Sequence, residues 1–406
     1  MTTATQSREQ NPQLSADAKT TLRLPVSGVL DITSRGGAFV RTAGFTTSPD
    51  DVSVPAALIR QYGLRRGDQL TGTAHPAPTS SRASSRNGQA KNPTLATVGT
   101  LNGVPVTPGA DSLTNGRPHF DQLTPLYADE RIRLEAGSAS ATARIIDLIA
   151  PIGKGQRGLI VAPPKAGKTL LLKAIASAIT AGHPDVYLMM VLVGERPEEI
   201  TDLRRSVDGE VIWSTFDRNP QDHIMVAELA IERAKRLVEG GQDVVVLLDS
   251  ITRLARAYNL IAPSSSRILA GGVATSALQP PRTFLGAARN VEGGGSLTIL
   301  STALIETGSR MDDVFFEEFK GTGNLELRLR RDLAEKRLYP AIDVPGSGTR
   351  RDDLLTTPDE YEAVAQLRRG LSGLEPQQAL ERLLDRTRQT SSNAEFLRQI
   401  QLARAA

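Results

Sequence analysis

The run Ala162-Pro163-Pro164-Lys165-Ala166-Gly167-Lys168-Thr169 follows a short apolar stretch and opens a helix-periodic one that begins at Leu170. A strand, a tight loop and a helix N-terminus together make a phosphate cradle: backbone N–H groups converge on one point and the helix dipole favours an anion there. Pro164, Lys165, Ala166, Gly167, Lys168, Thr169 and Leu170 are the candidate contacts. Lys168 can neutralise the terminal phosphates and the Thr169 hydroxyl can ligate a magnesium ion. Ala162 stands where the strict loop pattern has its first glycine. Asp249 ends the apolar run Val244-Val245-Val246-Leu247-Leu248. A carboxylate at the end of a buried parallel strand can support the same metal; by itself an aspartate there also caps turns. Glu195 follows another apolar run, in Gly194-Glu195-Arg196-Pro197. It can orient an attacking water, although a glutamate at a helix start also does no more than favour the dipole.

Something must hold these groups together. From residue 151 onward, apolar strands alternate with helical segments: strands at 158–162, 186–193, 211–215, 244–248 and 297–303, helices at 168–180, 198–206 and 222–239, and two or three amphipathic helices after 358. That alternation predicts an α/β domain, residues 151–406, with a parallel sheet and right-handed crossovers. Residues 23–106 read differently, as short β-like pieces punctuated by Gly and Pro, which predicts a small β-barrel. Within it, residues 75–93 read as a flexible loop rich in Pro, Ser, Arg and Asn. Residues 1–22 read as a disordered tail and 107–150 as a linker and entry to the second domain.

The 406 residues exceed one hydrophobic core. No run of 18 apolar residues suggests a membrane span, and the N-terminus lacks the apolar core of a signal peptide, so a cytoplasmic location is expected. The chain has no cysteine, which excludes disulfides and cysteine-based zinc sites. A net charge of +3 means that any basic patch must be local.

Further strings accompany the loop: Val193-Gly194-Glu195-Arg196-Pro197-Glu198-Glu199, Asp249-Ser250-Ile251-Thr252-Arg253-Leu254-Ala255-Arg256, Gly286-Ala287-Ala288-Arg289-Asn290, Phe319-Lys320-Gly321-Thr322-Gly323-Asn324 and Ser347-Gly348-Thr349-Arg350. In order and spacing they resemble the RecA-like motor domain of the Rho transcription termination factors, densely over residues 120–390 and loosely over 24–106. The resemblance implies a homohexameric ring with ATP and Mg2+ at subunit interfaces, single-stranded RNA in the central hole, and action on RNA polymerase's transcript as an RNA-dependent ATPase and RNA–DNA helicase. In that reading Lys168 and Thr169 bind phosphate and metal, Asp249 supports the metal, Glu195 activates water and Arg350 is the arginine finger that reaches a neighbour's γ-phosphate. Tyr339 falls where the family stacks an aromatic ring on adenine, and Arg196 and Arg253 fall where nucleotide contact or interface coupling is expected.

The same resemblance assigns RNA contacts. Arg267, Ile268 and Gly271 lie in a glycine-rich stretch like the family's Q-loop, and Arg310 with Lys320 in the region of its R-loop, where Arg310 replaces a lysine. Phe39 and Arg41 match the cold-shock-like segment of the family's OB-fold, but aromatics expected at Gly37 and Ser53 are missing. Two lost stacking platforms weaken the expectation of pyrimidine selectivity. Arg82, Arg86 and Lys91 could add phosphate contacts. Two other readings stay open: an RNA-binding ring regulator with weak motor activity, and a rotary or secretion-type ATPase subunit.

Overall fold

The computed structural model describes residues 23–33, 36–77, 92–106 and 116–405. The expected tail at 1–22, most of the loop at 75–93 with Arg82, Arg86 and Lys91, and the start of the expected linker at 107–115 lie outside the described residues.

The front domain is a closed barrel. Strands β1 (Leu24–Ile32), β2 (Ala38–Arg41), β3 (Val52–Ser53), β4 (Gln69–His75), β5 (Thr94–Leu101) and β6 (Val104–Pro105) form a sheet in the order β3-β2-β1-β4-β5-β6. The pairing of Ser53 with Thr94 joins β3 to β5 and closes it. Closure of so small a sheet needs strong coiling, which glycines and bulges supply. A side chain at Gly28 would meet the Arg41 carbonyl oxygen and one at Gly72 the Thr97 carbonyl oxygen, and the β4–β5 register shifts beside Gly72. Val26, Leu30, Val40, Leu70, Ala74 and Leu95 fill the interior. Helix α1 (Ala56–Tyr62) lies between β3 and β4, the arrangement of an OB-fold.

The second domain is built on a nine-stranded sheet. Its path runs β9 (Glu210–Thr215), β8 (Tyr187–Glu195), β10 (Asp243–Asp249), β11 (Ser296–Leu304), β7 (Arg157–Ala162), β12 (Leu325–Arg328), β13 (Gly348–Thr349). Neighbours on this seven-strand path are parallel except β12 and β13; the other two strands, Arg289–Val291 and Pro125–Leu126, lie off it and pair antiparallel, the first with β11 and with the second. Alternate residues of each strand enter two separate cores. Ile160, Met190, Leu192, Val245 and Leu247 face one; Leu159, Val161, Met189, Val191, Val244 and Val246 face the other. Both faces are covered, which is why these strands read as unbroken apolar runs.

Of residues 107–150, expected as linker and entry to this domain, the stretch 132–150 belongs to the first of these cores. Helix α2 (Ala141–Ile149) buries Ile145, Ile146, Leu148 and Ile149 against the helix that follows the phosphate loop. Four apolar residues in one nine-residue stretch are a packing face, not a connector.

The barrel docks on helix α5 (Pro220–Glu239). Arg66 bridges Asp31 of β1 and Glu228 of α5 at 3.0 and 2.9 Å, and Arg65 pairs with Glu239 at 3.2 Å. Gly67 has φ +87, and a side chain there would strike the backbone of Glu232 and Arg233.

Candidate nucleotide site and strand-binding loops

Every parallel strand of the motor sheet ends on the same edge, and the candidate chemistry collects there. The loop after β7 turns through Lys165 (φ +66) and Gly167 (φ +88) into helix α3 (Lys168–Gly182). Gly167 occupies the N-cap position without a side-chain cap, so first-turn amides remain available to an anion. Ala166 is buried, while Pro164, Lys165 and Leu170 are exposed at the rim. The Tyr339 ring lies over this turn: a side chain at Gly167 would meet its Cε1 at 3.1 Å. Tyr339 is 40% exposed, so one face of the ring is open beside the loop.

Lys168 bridges two buried carboxylates. Its Nζ is 2.5 Å from Asp249 Oδ1 and 3.1 Å from Glu195 Oε1. Asp249 also accepts from the Thr302 hydroxyl at 2.7 Å. Glu195 is turned inward by a bulge: the β8–β9 register shifts between Val193 and Glu195, where Gly194 has φ +68. Arg253 Nε approaches Glu195 Oε1 at 3.4 Å. Burial, followed by the Asp249 charge, raises the Glu195 carboxyl above the ordinary carboxylate range, against the pull of Lys168 and Arg253. Burial lowers the Lys168 ammonium, but the two carboxylates outweigh it and hold the group above its usual value.

The two residues expected to serve a magnesium ion both adjoin Lys168: Thr169 follows it at the helix start, and Asp249 approaches its ammonium at 2.5 Å. Among the described residues no three acidic or histidine side chains are grouped to hold a metal alone.

Arg196 and Arg350 stand apart from this cluster. The Arg196 side chain is 67% exposed and lies 3.8 Å from Glu199. Arg350 follows β13 at the opposite edge of the sheet. Thr349 pairs with Leu325 and Leu325 with Gly158, at the start of the strand whose end carries the phosphate loop. At about 3.3 Å per residue, Arg350 lies on the order of 15 Å below the level of Ala162. It is exposed, and among the described residues its side chain has no hydrogen bond or ion pair.

Helix α6 (Ile251–Leu260) links the carboxylate cluster to the expected strand-binding loops. Its Arg253 touches Glu195; its Arg256 forms a bidentate pair with Asp312 at 2.7 and 2.6 Å; its Asn259 donates to the Gly272 carbonyl and accepts from the Ala274 amide. Residues Ile268–Leu269 and Val273–Ala274 form a small hairpin that carries exposed Arg267 and Ile268. Gly271, φ +72, packs on the first turn of helix α7 (Arg310–Lys320), where a side chain would meet the Arg310 carbonyl oxygen at 2.8 Å. The hairpin and Arg310 therefore share one site. Lys320 does not join them: it ends the same helix, about 15 Å from Arg310 at 1.5 Å per residue. One helix therefore separates the two cations.

On the barrel, Phe39 is half-buried with Gly37 beside its ring. Arg41, expected to contact RNA, points into the barrel's own charge cluster. It is 5% exposed, its guanidinium bridges Asp31 and Asp51 at 2.5 and 2.6 Å, and it stacks on Phe39 at 5.3 Å. Among the described residues, Asp51 Oδ1 is buried without a hydrogen-bond partner. Asp51 thus joins the candidate set; the sequence held no signal for it beyond its place beside β3.

This is a P-loop nucleotide-binding domain of the ATP synthase type behind an RNA-binding barrel. The ATP synthase alpha/beta family, nucleotide-binding domain, matches residues 142–348, and the Rho termination factor RNA-binding domain matches residues 26–107. A type III secretion ATPase from pathogenic bacteria shares the fold, with TM-score 0.59 at 23% identity over 77% of this chain and 94% of that one. Transcription termination factor Rho of Streptosporangium roseum is 58% identical over 92% of both chains. Rho of Streptomyces lividans is 58% identical over 97% of this chain and 53% of its own, and that of Mycobacterium tuberculosis 57% over 93% and 61%. The chain belongs to the Rho family of transcription termination factors. It spans only about half to three-fifths of the length of several of these relatives.

Proposed function

We propose that the chain is the motor of an RNA-stimulated ATPase that assembles as a homohexameric ring, moves along single-stranded RNA in the cytoplasm, separates RNA–DNA hybrids and ends transcription by RNA polymerase. The observation that carries this reading is helix α6, one rigid element in contact with Glu195, with the Arg310 helix and with the Gly271 hairpin. A strand that shifts the hairpin or Arg310 moves the helix that holds Arg253 against Glu195.

The chemistry divides among the residues as follows. The α3 amides and Lys168 hold the terminal phosphates. Thr169 and Asp249 would hold Mg2+, which neutralises charge on the transferring phosphoryl group. Glu195 orients the water and takes its proton; its raised pKa suits a base. Tyr339 stacks the adenine. Arg253, 3.4 Å from Glu195, and the exposed Arg196 serve nucleotide contact or coupling between subunits. Arg350 cannot reach its own loop, so it serves a neighbour's site. Glu195→Gln lowers turnover by about 10²–10⁴-fold while a fluorescent ATP analogue still binds; wild-type turnover in this variant removes Glu195 from the mechanism.

The barrel supplies the first RNA contact. A base stacked on Phe39 and presenting an amino group to Asp51 Oδ1 satisfies the buried acceptor. Cytosine and adenine both carry such a group. Arg267, Ile268, Gly271 and Arg310 grip the strand in the ring's centre. The test is steady-state ATP hydrolysis without RNA, with poly(C) and with a purine RNA. Stimulation is expected, and Phe39→Ala raises the RNA needed for half-stimulation by roughly 5- to 100-fold, the equivalent of one lost stacked base. No stimulation by either RNA leaves a ring that binds without coupled turnover.

A further inference from the structure

Arg350 is followed by a second arginine with a different environment. Arg351 has φ +59, a left-handed conformation that costs a non-glycine residue on the order of 1–2 kcal/mol. Such a residue persists where its surroundings over-determine it. Here they do. The Arg351 guanidinium makes a bidentate pair with Asp353, Nε to Oδ1 and Nη2 to Oδ2, both at 3.0 Å. Its other contact is the Tyr127 ring, 5.4 Å from the guanidinium carbon to the centroid.

Tyr127 is itself anchored. It follows the short strand Pro125–Leu126, which pairs with Arg289–Val291, and Asn290 Nδ2 donates to the Tyr127 carbonyl and to Asp129. The residues before Arg351 are fixed as well. The Arg350 amide donates to the Asn324 carbonyl at 2.8 Å, the Asn324 side chain accepts from Gln156 and the Arg157 amide, and Thr349 Oγ1 donates to the Pro151 carbonyl at 2.7 Å. Arg350 thus has a tethered backbone and, among the described residues, a side chain with no hydrogen bond or ion pair.

We propose that Tyr127, Arg351 and Asp353 form a clamp whose work is to position Arg350. The clamp fixes the backbone turn immediately after the finger, so the Arg350 side chain leaves the surface in one direction and meets a neighbouring subunit's phosphate already oriented. It also separates the roles of the two adjacent arginines: Arg351 is held by its own chain, and Arg350 is left for the partner copy. Tyr127 is 68% exposed and contributes nothing to either core, so the stack is not explained by packing. The inference rests on the reading of Arg350 as the finger.

The measurements are kcat and KM for ATP with saturating RNA, on assembled rings of the full chain. Tyr127→Ala is expected to lower kcat by about three- to tenfold, with KM unchanged within about twofold and an unchanged melting temperature. Tyr127→Phe keeps the ring face and restores wild-type kcat, and Asp353→Asn reproduces the alanine defect. The decisive comparison is the double variant. In an Arg350→Ala background, read by single-turnover hydrolysis of radiolabelled ATP, Tyr127→Ala has no further effect, because the clamp acts only through Arg350. The same fold loss in both backgrounds, or a wild-type kcat for Tyr127→Ala beside a defective Arg350→Ala, overturns the clamp. A wild-type rate for Arg350→Ala overturns the finger assignment itself.

Discussion

Lys168→Ala abolishes RNA-stimulated ATP hydrolysis. The ammonium bridges Asp249 and Glu195 at the phosphate loop. Its loss removes the charge that meets the terminal phosphates and leaves two buried carboxylates facing the incoming nucleotide. A loss on the order of 10³-fold or more follows from removing such a preorganised group. Stability changes too. Lys168 is held above its ordinary pKa, so its stabilising contribution is complete at every pH below that of the unfolded side chain and is lost only in strong alkali. At neutral pH the variant therefore melts lower, by up to ~3 kcal/mol of lost pairing. Hydrolysis assays and calorimetry on one preparation read both effects. Wild-type turnover would remove the phosphate-loop assignment; lost turnover with an unchanged melting temperature would mean that the ion pairs contribute little without nucleotide.

Arg350→Ala is the second large effect, and its pattern matters more than its size. An arginine supplied from a neighbouring subunit is worth ~10³–10⁵ in rate, and nucleotide binding should survive its removal. The register that sets Thr349 against Leu325 and Leu325 against Gly158 keeps Arg350 away from its own loop. Rings mixed from Arg350→Ala and Lys168→Ala subunits therefore recover turnover, since an intact loop on one subunit meets an intact finger on the next. No recovery in rings shown to be mixed would mean that Arg350 does not act across the interface.

Residue type and order alone determined the phosphate loop, the two carboxylates and the parallel α/β framework. These signals are local. Strand, loop and helix N-terminus are consecutive at 157–182, and a strand buried on both faces declares itself as an apolar run, as at Asp243–Asp249. The resemblance to the Rho family likewise rested on strings of consecutive residues.

What spacing could not supply was direction. Arg41 is a cation in a promising segment, yet Asp31 and Asp51 approach from other strands and bury it. Arg310 and Lys320 are close in sequence and belong to opposite ends of one helix, while Gly271 is distant in sequence and packs on Arg310. Residues 132–150 read as a connector because their partners are a helix and C-terminal segments far along the chain. Tyr339 reaches Gly167, and Tyr127 reaches Arg351, only once the sheet is assembled. The chain's sequence carries its chemistry in short contiguous pieces; which side chains are held, which are left free and which edge of the sheet each occupies follow from long-range strand order, and only the folded structure decides them.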